Sequence, residues 1–174
     1  MNKGTLIAFG GRRFSGKSTA ERILVDKYYF QPIRFSDRLR EIFSEIAGVD
    51  VIEYNKWDQL KDLQEINGRS LRGHLCDLAD SIKSINPSYF TDFAKRRIST
   101  ALKSYNVVAP DIRFQHELEA IKSIGGITVK IERNLAEDTF IHNSENGVED
   151  GWDFIISNNG SILDLEEEIK KILG

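Results

Sequence analysis

Residues Thr5–Thr19 read TLIAFGGRRFSGKST, and this stretch decides the fold class. Its first part, Thr5–Gly10, is a short apolar run closed by glycine, which predicts a buried β-strand. Its second part, Gly11–Ser18, matches the pattern G-x-x-x-x-G-K-[ST] at every fixed position. From Gly16 to about Tyr28, apolar residues at helical spacing predict a helix. A glycine-rich loop between a buried strand and a helix is the context in which this pattern binds phosphate.

The loop offers several ligands to a nucleoside triphosphate. Its glycines let consecutive backbone N–H groups point inward, and the helix N-terminus adds a partial positive charge. Lys17 can reach the β- and γ-phosphates, and the Ser18 hydroxyl can coordinate Mg²⁺. The alternative is a glycine-rich turn with an incidental lysine. The loop residues that we predict to bind ATP are Gly11, Arg13, Phe14, Ser15, Gly16, Lys17, Ser18 and Thr19.

Strand and helix patterns alternate along the rest of the chain, and this alternation predicts a parallel sheet covered on both faces. The middle of the chain, Trp57–Tyr105, is almost continuously helical in pattern and is interrupted at Gly68 and Asn86–Pro87. Asp37 is a plausible N-cap. We therefore predict an α/β, P-loop NTPase-type three-layer sandwich in a single domain, 1–174. Its predicted strands are Thr5–Gly10, Phe30–Phe35, Asn106–Pro110, Ile127–Glu132 and Trp152–Ser157, and its outer helices are Asp37–Ala47, Arg113–Ile124 and Ser161–Leu173.

Length and charge narrow the class of protein. The 174 residues suffice for one domain with a sizeable core. The 24 basic and 27 acidic residues are spread along the chain without a basic block, so we expect neither a nucleic acid nor a membrane partner. Cys76 is the only cysteine, which excludes an internal disulfide and favours the reducing cytoplasm. The expected partners are small-molecule nucleotides, and a homodimer stays open.

Asp111 is the candidate carboxylate of the site. It follows the apolar run Val107–Pro110, at the end of a predicted strand, where open α/β sheets present ligand-binding groups. It can hold Mg²⁺ through water or orient the attacking hydroxyl. The alternative is a cap for the helix that is predicted to begin near Arg113, and the two roles are compatible.

Three separated segments have a combination of residues that is specific to one family of kinases. The segments are GGRRFSGKST at Gly10–Thr19, VVAPDIRFQHELEAIKSIGG at Val107–Gly126 with VKIER to Arg133, and HNSENGVEDGWDFIISNNGSILDL at His142–Leu165. Together they resemble the phage-type deoxynucleoside monophosphate kinases, a branch of the adenylate-kinase-like P-loop kinases. FSDRLRE at Phe35–Glu41 and the helix around Arg72 are weaker additional matches. The resemblance touches most of the chain, and the two later segments are more specific to this family than the glycine-rich loop.

The resemblance implies an ATP- and Mg²⁺-dependent transfer of the γ-phosphate to a deoxynucleoside monophosphate. It also implies a helical acceptor-binding insertion at about 37–104 and a lid at about 133–151, in which Glu145 fixes the lid. Planar guanidinium groups can bind two phosphate oxygens at once. The implied catalytic residues are Lys17, Arg113, Arg133 and Asp111; the acceptor residues are Asp37, Arg40, Arg72, Cys76 and Arg113; the metal ligands are Ser18 and Asp111; and Asn159 and Gly160 form the turn beside the adenine.

Several of these assignments have plainer alternatives. Arg40, Arg72 and Arg133 carry charges that also suit a solvated surface, and Asn158–Gly160 is ordinary turn chemistry. Two residues depart from the family pattern: Ser18 stands where many members have Asp, and Cys76 where a Gln is common. The base preference therefore does not transfer. Rival functions are another P-loop kinase, such as a dephospho-coenzyme A kinase, and a nucleotide-dependent switch.

Overall fold

The computed structural model describes residues 4–49, 65–134 and 148–174. The chain divides into two compact units, Met1–Phe35 with Lys95–Gly174, and Ser36–Ala94. The predicted insertion and lid boundaries stay predictions, and Trp57, His142 and Glu145 lie outside the described residues.

The strands are β1 (Leu6–Gly10), β2 (Gln31–Pro32), β3 (Glu65–Ile66), β4 (Arg69–Ser70), β5 (Val107–Ile112), β6 (Ile127–Glu132) and β7 (Phe154–Ser157). The helices are α1 (Lys17–Tyr28), α2 (Asp37–Ala47), α3 (Leu71–Ile85), α4 (Tyr89–Ala101), α5 (Gln115–Ser123) and α6 (Ile162–Leu173).

The first unit contains the five-stranded sheet, in the order β2-β5-β1-β6-β7, and every pair in it is parallel. This sheet confirms the predicted fold class. The central strand β1 is buried along its whole length, as its unbroken apolar run predicts. Because all strands run in the same direction, their carboxyl ends lie at one edge of the sheet. The segments that follow β1, β5, β6 and β7 therefore begin at that edge.

Helix α1 packs its apolar stripe against the sheet. Ala20, Ile23 and Leu24 are its buried residues, and their spacing puts them on one helical face. They join side chains of the sheet and of α6 in one core, which anchors the start of α1 beside the end of β1. The other buried members of this core are Ile7, Phe9, Phe30, Val108, Val129, Ile131, Ile156, Leu165 and Ile169.

Several predicted boundaries were wrong. The second strand comprises only Gln31–Pro32, because it is an edge strand whose ladder reaches no further than two pairs with β5. Asp37 is the first helical residue of α2 and Ser36 is the N-cap. The predicted strand Asn106–Pro110 is β5 in the structure and continues to Ile112, and the helix after it, α5, begins only at Gln115.

The helical pattern predicted for Trp57–Tyr105 is interrupted by a β-hairpin. Strands β3 and β4 pair antiparallel around Asn67 and Gly68, whose φ angles are 52° and 74°. Two consecutive positive φ angles are the signature of a type I′ turn, for which Asn-Gly is the favoured pair. The sequence therefore carried a local hairpin signal at the position that we interpreted as a break between helices.

The second unit has a small core of its own. Phe43 of α2 and Leu71 of α3 are buried together, and Ser70 caps α3 by accepting the N–H of Gly73 at 3.1 Å. Arg38 of α2 contacts Glu41 at 3.2 Å and the Tyr89 hydroxyl at 3.3 Å. These contacts order the helices that carry the predicted acceptor residues. Within the described parts of the chain, no helix is long and apolar enough to cross a membrane.

Candidate phosphate-binding site

The loop between β1 and α1 has the backbone of an anion-binding nest. Gly11, Phe14 and Gly16 have φ angles of 133°, 62° and 111°. Left-handed residues that alternate with right-handed ones turn successive N–H groups toward one concave side. Gly16 is also the N-cap of α1, so the first free N–H groups of that helix lie at the same place.

The two glycines are required for space as well as for backbone angle. A Cβ atom at Gly11 would overlap the carbonyl oxygen of Ile131 in β6, and one at Gly16 would overlap the Nδ2 of Asn158. Both positions also have φ angles that L side chains rarely adopt. The backbone of the loop is therefore packed directly against Ile131 of β6 and against Asn158.

Ser15 contributes a polar atom that has no protein partner. The residue is 1% exposed, and among the described residues its Oγ is the buried side-chain polar atom without a hydrogen-bond partner. A Cβ at Gly11 would lie 3.0 Å from this Oγ, so the hydroxyl lies across the loop from Gly11. Leaving such a group unpaired costs about 1–3 kcal/mol. A phosphate oxygen inside the loop would satisfy it, so these residues fit a nucleotide phosphate.

Lys17 directs its ammonium group onto the loop. Its Nζ donates to the carbonyl oxygens of Gly11 at 2.7 Å and Arg12 at 2.8 Å. The same Nζ lies 3.9 Å from Oδ1 of Asp111, and the Lys17 side chain is 14% exposed. An ammonium group at this position, beside the anion nest, can neutralise phosphate charge.

Asp111 lies in β5, beside a bulge. Ala8 pairs with Ala109 and Gly10 pairs with Ile112, so β5 has one more residue than β1 between these pairs. Pro110 lies in that interval and has no N–H to donate, and for this reason proline within a sheet is confined to edges and bulges. Asp111 is the other residue in this interval, so the bulge lies where the chain presents this carboxylate. Its Oδ2 accepts from Arg113 Nε at 2.7 Å and Nη2 at 2.6 Å.

The cap role that we considered as an alternative for Asp111 is filled by Glu117, which our sequence analysis missed. The Glu117 Oε2 accepts the backbone N–H of Arg113 at 2.8 Å and of Phe114 at 3.2 Å. Burial raises the pKa of this carboxyl from 4.5 to about 7, against the lowering effect of the two N–H donors. A glutamate three residues after the N-cap is the local signal that could have identified it. Glu117 thereby holds the turn that carries Arg113.

We expect Glu117 to make the stability of the fold depend on pH. Because its pKa in the folded state is raised from 4.5 to about 7, the stability contributed by protonation is complete below 4.5 and is lost as the pH rises to 7. The free energy of unfolding that is lost over this pH range is about 3 kcal/mol. The uncharged Glu117→Gln variant should therefore gain stability over the wild type between pH 5 and pH 8, measured by urea unfolding.

The matched control is Glu119→Gln, on the exposed side of the same helix. Glu119 only accepts from the Gln115 side chain at 3.2 Å, so its removal should change stability by less than about 0.5 kcal/mol at every pH. An equal difference between Glu117→Gln and the wild type at pH 5 and pH 8 would contradict the expectation.

Asn158, directly after β7, belongs to the turn that the resemblance places beside the adenine, but our sequence analysis gave it no contact with the glycine loop. It is 8% exposed, and its Nδ2 donates to the carbonyl oxygen of Ser15 at 2.8 Å. Its backbone N–H donates to the carbonyl oxygen of Glu132 at 2.7 Å. The partner in the loop is 143 positions away in sequence, so no local pattern could have indicated this contact.

The remaining predicted site residues of the first unit lie around the same sheet edge. Arg13 lies over the Phe14 ring at 4.8 Å from its centroid, and both are exposed, as is Ser18. Asn159 accepts the backbone N–H of Asn134 at 2.8 Å through Oδ1. A Cβ at Gly160 would overlap Oδ2 of Asp164. Arg133 is exposed and directly follows β6, and Thr19 belongs to the first turn of α1.

The predicted acceptor residues other than Arg113 belong to the second unit. Asp37 and Arg40 lie in α2 and are half-buried. Arg72 and Cys76 lie in α3, are both exposed, and are one helical turn apart. Residues four apart face the same side of a helix, so α3 presents Arg72 and Cys76 together.

A metal site built entirely from protein side chains is absent from the described residues, where no group of three or more His, Cys, Asp or Glu side chains could hold an ion. Mg²⁺ does not need such a group, because it is commonly held by one or two protein oxygens together with substrate phosphates and water. The hydroxyl of Ser18 and the carboxylate of Asp111 are donors of the type that this ion prefers.

Sequence comparisons relate the chain to deoxynucleotide monophosphate kinases. The sequence model of the family described as "Deoxynucleotide monophosphate kinase" matches residues 79–169, just over half of the chain. A candidate enzyme of this name from Acanthamoeba polyphaga mimivirus is 28% identical over 181 residues, covering 94% of this chain and 93% of the relative. The deoxynucleotide monophosphate kinase of Escherichia phage RB69 is 37% identical over 68 residues, 38% of this chain and 28% of that protein.

Solved structures that share the fold include several kinases. The dephospho-CoA kinase from Campylobacter jejuni aligns with a TM-score of 0.54 and 16% identity, covering 97% of this chain and 94% of that chain. The Mycobacterium tuberculosis APS kinase CysC, in complex with AMPPNP and APS, aligns with a TM-score of 0.53 and 16% identity over 99% of both chains. At these identities the structures establish the fold alone. The family match over residues 79–169 establishes more: the chain belongs to the deoxynucleotide monophosphate kinase family.

Proposed function

We propose that this protein transfers the γ-phosphate of ATP to a deoxynucleoside monophosphate and releases ADP and the deoxynucleoside diphosphate. The observation that carries the proposal is the nest at Gly11–Gly16, with a buried, unpartnered Ser15 hydroxyl and the Lys17 ammonium over it. Family membership supports the choice of acceptor. Transfer between two polyanions is mainly a matter of positioning and charge neutralisation, and the charged groups of the site are suited to both.

The roles follow from the chemistry of each group. Lys17 neutralises charge on the β- and γ-phosphates, and the N–H groups of the nest hold the donor. Asp111 fixes the water around the metal, because the attacking phosphate oxygen of a dianionic acceptor has no proton for this carboxylate to accept. A guanidinium has five N–H donors, so Arg113 can keep its contact with Asp111 and still bind a phosphate oxygen. Arg133 stays a proposed ligand of the transferring phosphate, and Asn159 and Gly160 stay proposed contacts of the adenine.

Ser18 and Asp111 are the residues that would hold Mg²⁺. When bound, the ion would neutralise part of the negative charge on the phosphate oxygens of the donor. Ser18 has a hydroxyl where many relatives of this type have a carboxylate, so this chain would contribute one fewer negative charge near the donor. Asp111 would then supply the only carboxylate of the proposed metal-binding pair.

An acceptor panel tests the proposal directly. ADP release from ATP and Mg²⁺ would be measured with dAMP, dCMP, dGMP, dTMP, dephospho-coenzyme A, or no acceptor. We expect release to require a deoxynucleoside monophosphate, because without one the γ-phosphate has no oriented nucleophile. Activity only with dephospho-coenzyme A would identify the alternative kinase. Equal release without any acceptor would favour a hydrolytic switch, and silence with all four nucleotides would remove the proposal.

A further inference from the structure

We infer that Asn158 is a positioning residue for nucleotide binding: its side-chain amide holds the phosphate loop in the conformation that directs the Gly16 N–H into the nest. The inference rests on the proposed function, since it names a residue that acts on the ATP-binding loop without touching the transferred group. Asn158 lies directly after β7 and is 8% exposed. An amide side chain buried to this extent normally has a specific hydrogen-bond partner.

The partner shows what the amide controls. Asn158 Nδ2 donates to the carbonyl oxygen of Ser15 at 2.8 Å, and this bond is buried. No described peptide bond is cis, so the Ser15–Gly16 peptide is trans and planar. In a trans peptide the C=O and the following N–H point in opposite directions. Fixing the Ser15 carbonyl toward Asn158 therefore turns the Gly16 N–H away from Asn158, toward the interior of the loop.

The space at Gly16 is an independent indication of the same coupling. A Cβ on Gly16 would overlap Nδ2 of Asn158, so the amide occupies the volume that a side chain would need. A displacement of the Asn158 side chain would therefore change the packing at Gly16, the N-cap of α1. The loop and the turn after β7 form one packed unit.

Asn158 is itself held in place from the sheet. Its backbone N–H donates to the Glu132 carbonyl at 2.7 Å, at the end of β6. Glu132 pairs with Ser157 in the parallel ladder of β6 and β7, so the position of Asn158 is set by the last pairing of the sheet. The neighbouring Asn159 and Gly160 are the proposed adenine contacts. Asn158 thus connects the adenine side of the donor site to its phosphate side.

The test measures ATP binding without acceptor, by calorimetry, for the wild type, Asn158→Ala and Asn158→Asp. The carboxylate keeps the shape of the side chain but cannot donate to the Ser15 carbonyl. We expect the affinity for ATP to fall about tenfold in Asn158→Ala and further in Asn158→Asp. The KM for the deoxynucleoside monophosphate should stay within about twofold of the wild type, because the acceptor does not depend on the Gly16 N–H.

Asn106→Ala is the matched control. Its Oδ1 accepts the Thr5 N–H at 2.9 Å, so it also joins distant parts of the chain through an amide side chain. Asn106 lies just before β5 and Thr5 just before β1, at the amino ends of the strands. This variant should lose stability but keep its ATP affinity within about twofold. Thermal unfolding without nucleotide verifies that each variant is folded. If Asn158→Ala does not fold, Asn158→Asp provides the test, because it keeps the side-chain volume.

The outcomes distinguish a failure of the positioning role of Asn158 from a failure of the proposed kinase function. Wild-type ATP affinity in a folded Asn158 variant overturns the positioning role and leaves the proposed kinase intact. An equal loss of affinity in Asn106→Ala overturns it as well, because the effect would then follow from general destabilisation. A wild type that binds no ATP overturns the proposed function and this inference together.

Discussion

Replacing Lys17 with alanine is expected to lower kcat by about a hundredfold or more, with a smaller loss of ATP affinity. The ammonium can stabilise the charge that develops on the β,γ-bridging and γ-phosphate oxygens, so its contribution is larger in the transition state than in the ground state. A hundredfold corresponds to about 2.7 kcal/mol of transition-state stabilisation. The Nζ lies against the loop, where it donates to the carbonyl oxygens of Gly11 at 2.7 Å and Arg12 at 2.8 Å.

Lys27→Ala is the control for this variant. Lys27 is in the last turn of the same helix, and its Nζ pairs with Glu166 at 2.5 Å with 54% of the side chain exposed. An exposed pair of this kind contributes little to stability, and we expect kcat to stay within about twofold of the wild type. The measurement is steady-state ADP release at saturating acceptor. Wild-type turnover in Lys17→Ala would show that the loop is not the catalytic cradle.

Replacing Arg113 with alanine is expected to lower kcat/KM about ten- to a hundredfold for every deoxynucleoside monophosphate alike. The phosphate is common to all acceptors, so a residue that binds it cannot discriminate between bases. Charge-assisted hydrogen bonds are worth roughly 1.5–3 kcal/mol each, which sets the range. Arg113→Lys should recover activity only in part, because an ammonium keeps the charge but loses the bidentate geometry.

The control is Arg22→Ala, which removes an exposed arginine of α1 in the same unit and should leave kcat/KM within about twofold of the wild type. The measurement is kcat/KM with dAMP, dCMP, dGMP and dTMP for each variant. A loss confined to one or two bases would contradict the phosphate-binding role of Arg113.

Arg72 of α3 is tested in the same way, with Arg69 of the preceding strand β4 as its control. If it binds the acceptor phosphate, Arg72→Ala should show a base-independent loss of the same size. Arg69→Ala, which removes only the exposed pair with Asp77 at 2.7 Å, should not. Cys76 lies one turn beyond Arg72, and Cys76→Gln should redistribute rates among the four bases without a common loss. A uniform change in Cys76→Gln would remove its proposed role in base selection.

Local signals explain why much of the fold was predictable. The unbroken apolar run of Leu6–Gly10 indicates a strand buried on both faces, and Ser161 before Ile162 indicates a helix start. Each signal depends only on residues that are close in sequence, so it can be recognised without the tertiary structure. The Asn67–Gly68 turn was equally local, but we weighted the helical period of its surroundings above it. That error was one of interpretation rather than of missing information.

The sequence by itself determined the parallel sheet, the helix after β1 and the glycine loop between them, because glycine spacing and apolar periodicity act within a few residues. Only the tertiary structure decided which distant groups complete that loop. Asn158 meets Ser15 across 143 positions, and the ladder between β6 and β7 brings them together. The environment of Glu117 was decided in the same way, because its raised pKa depends on burial, which no single residue's neighbours in sequence can specify.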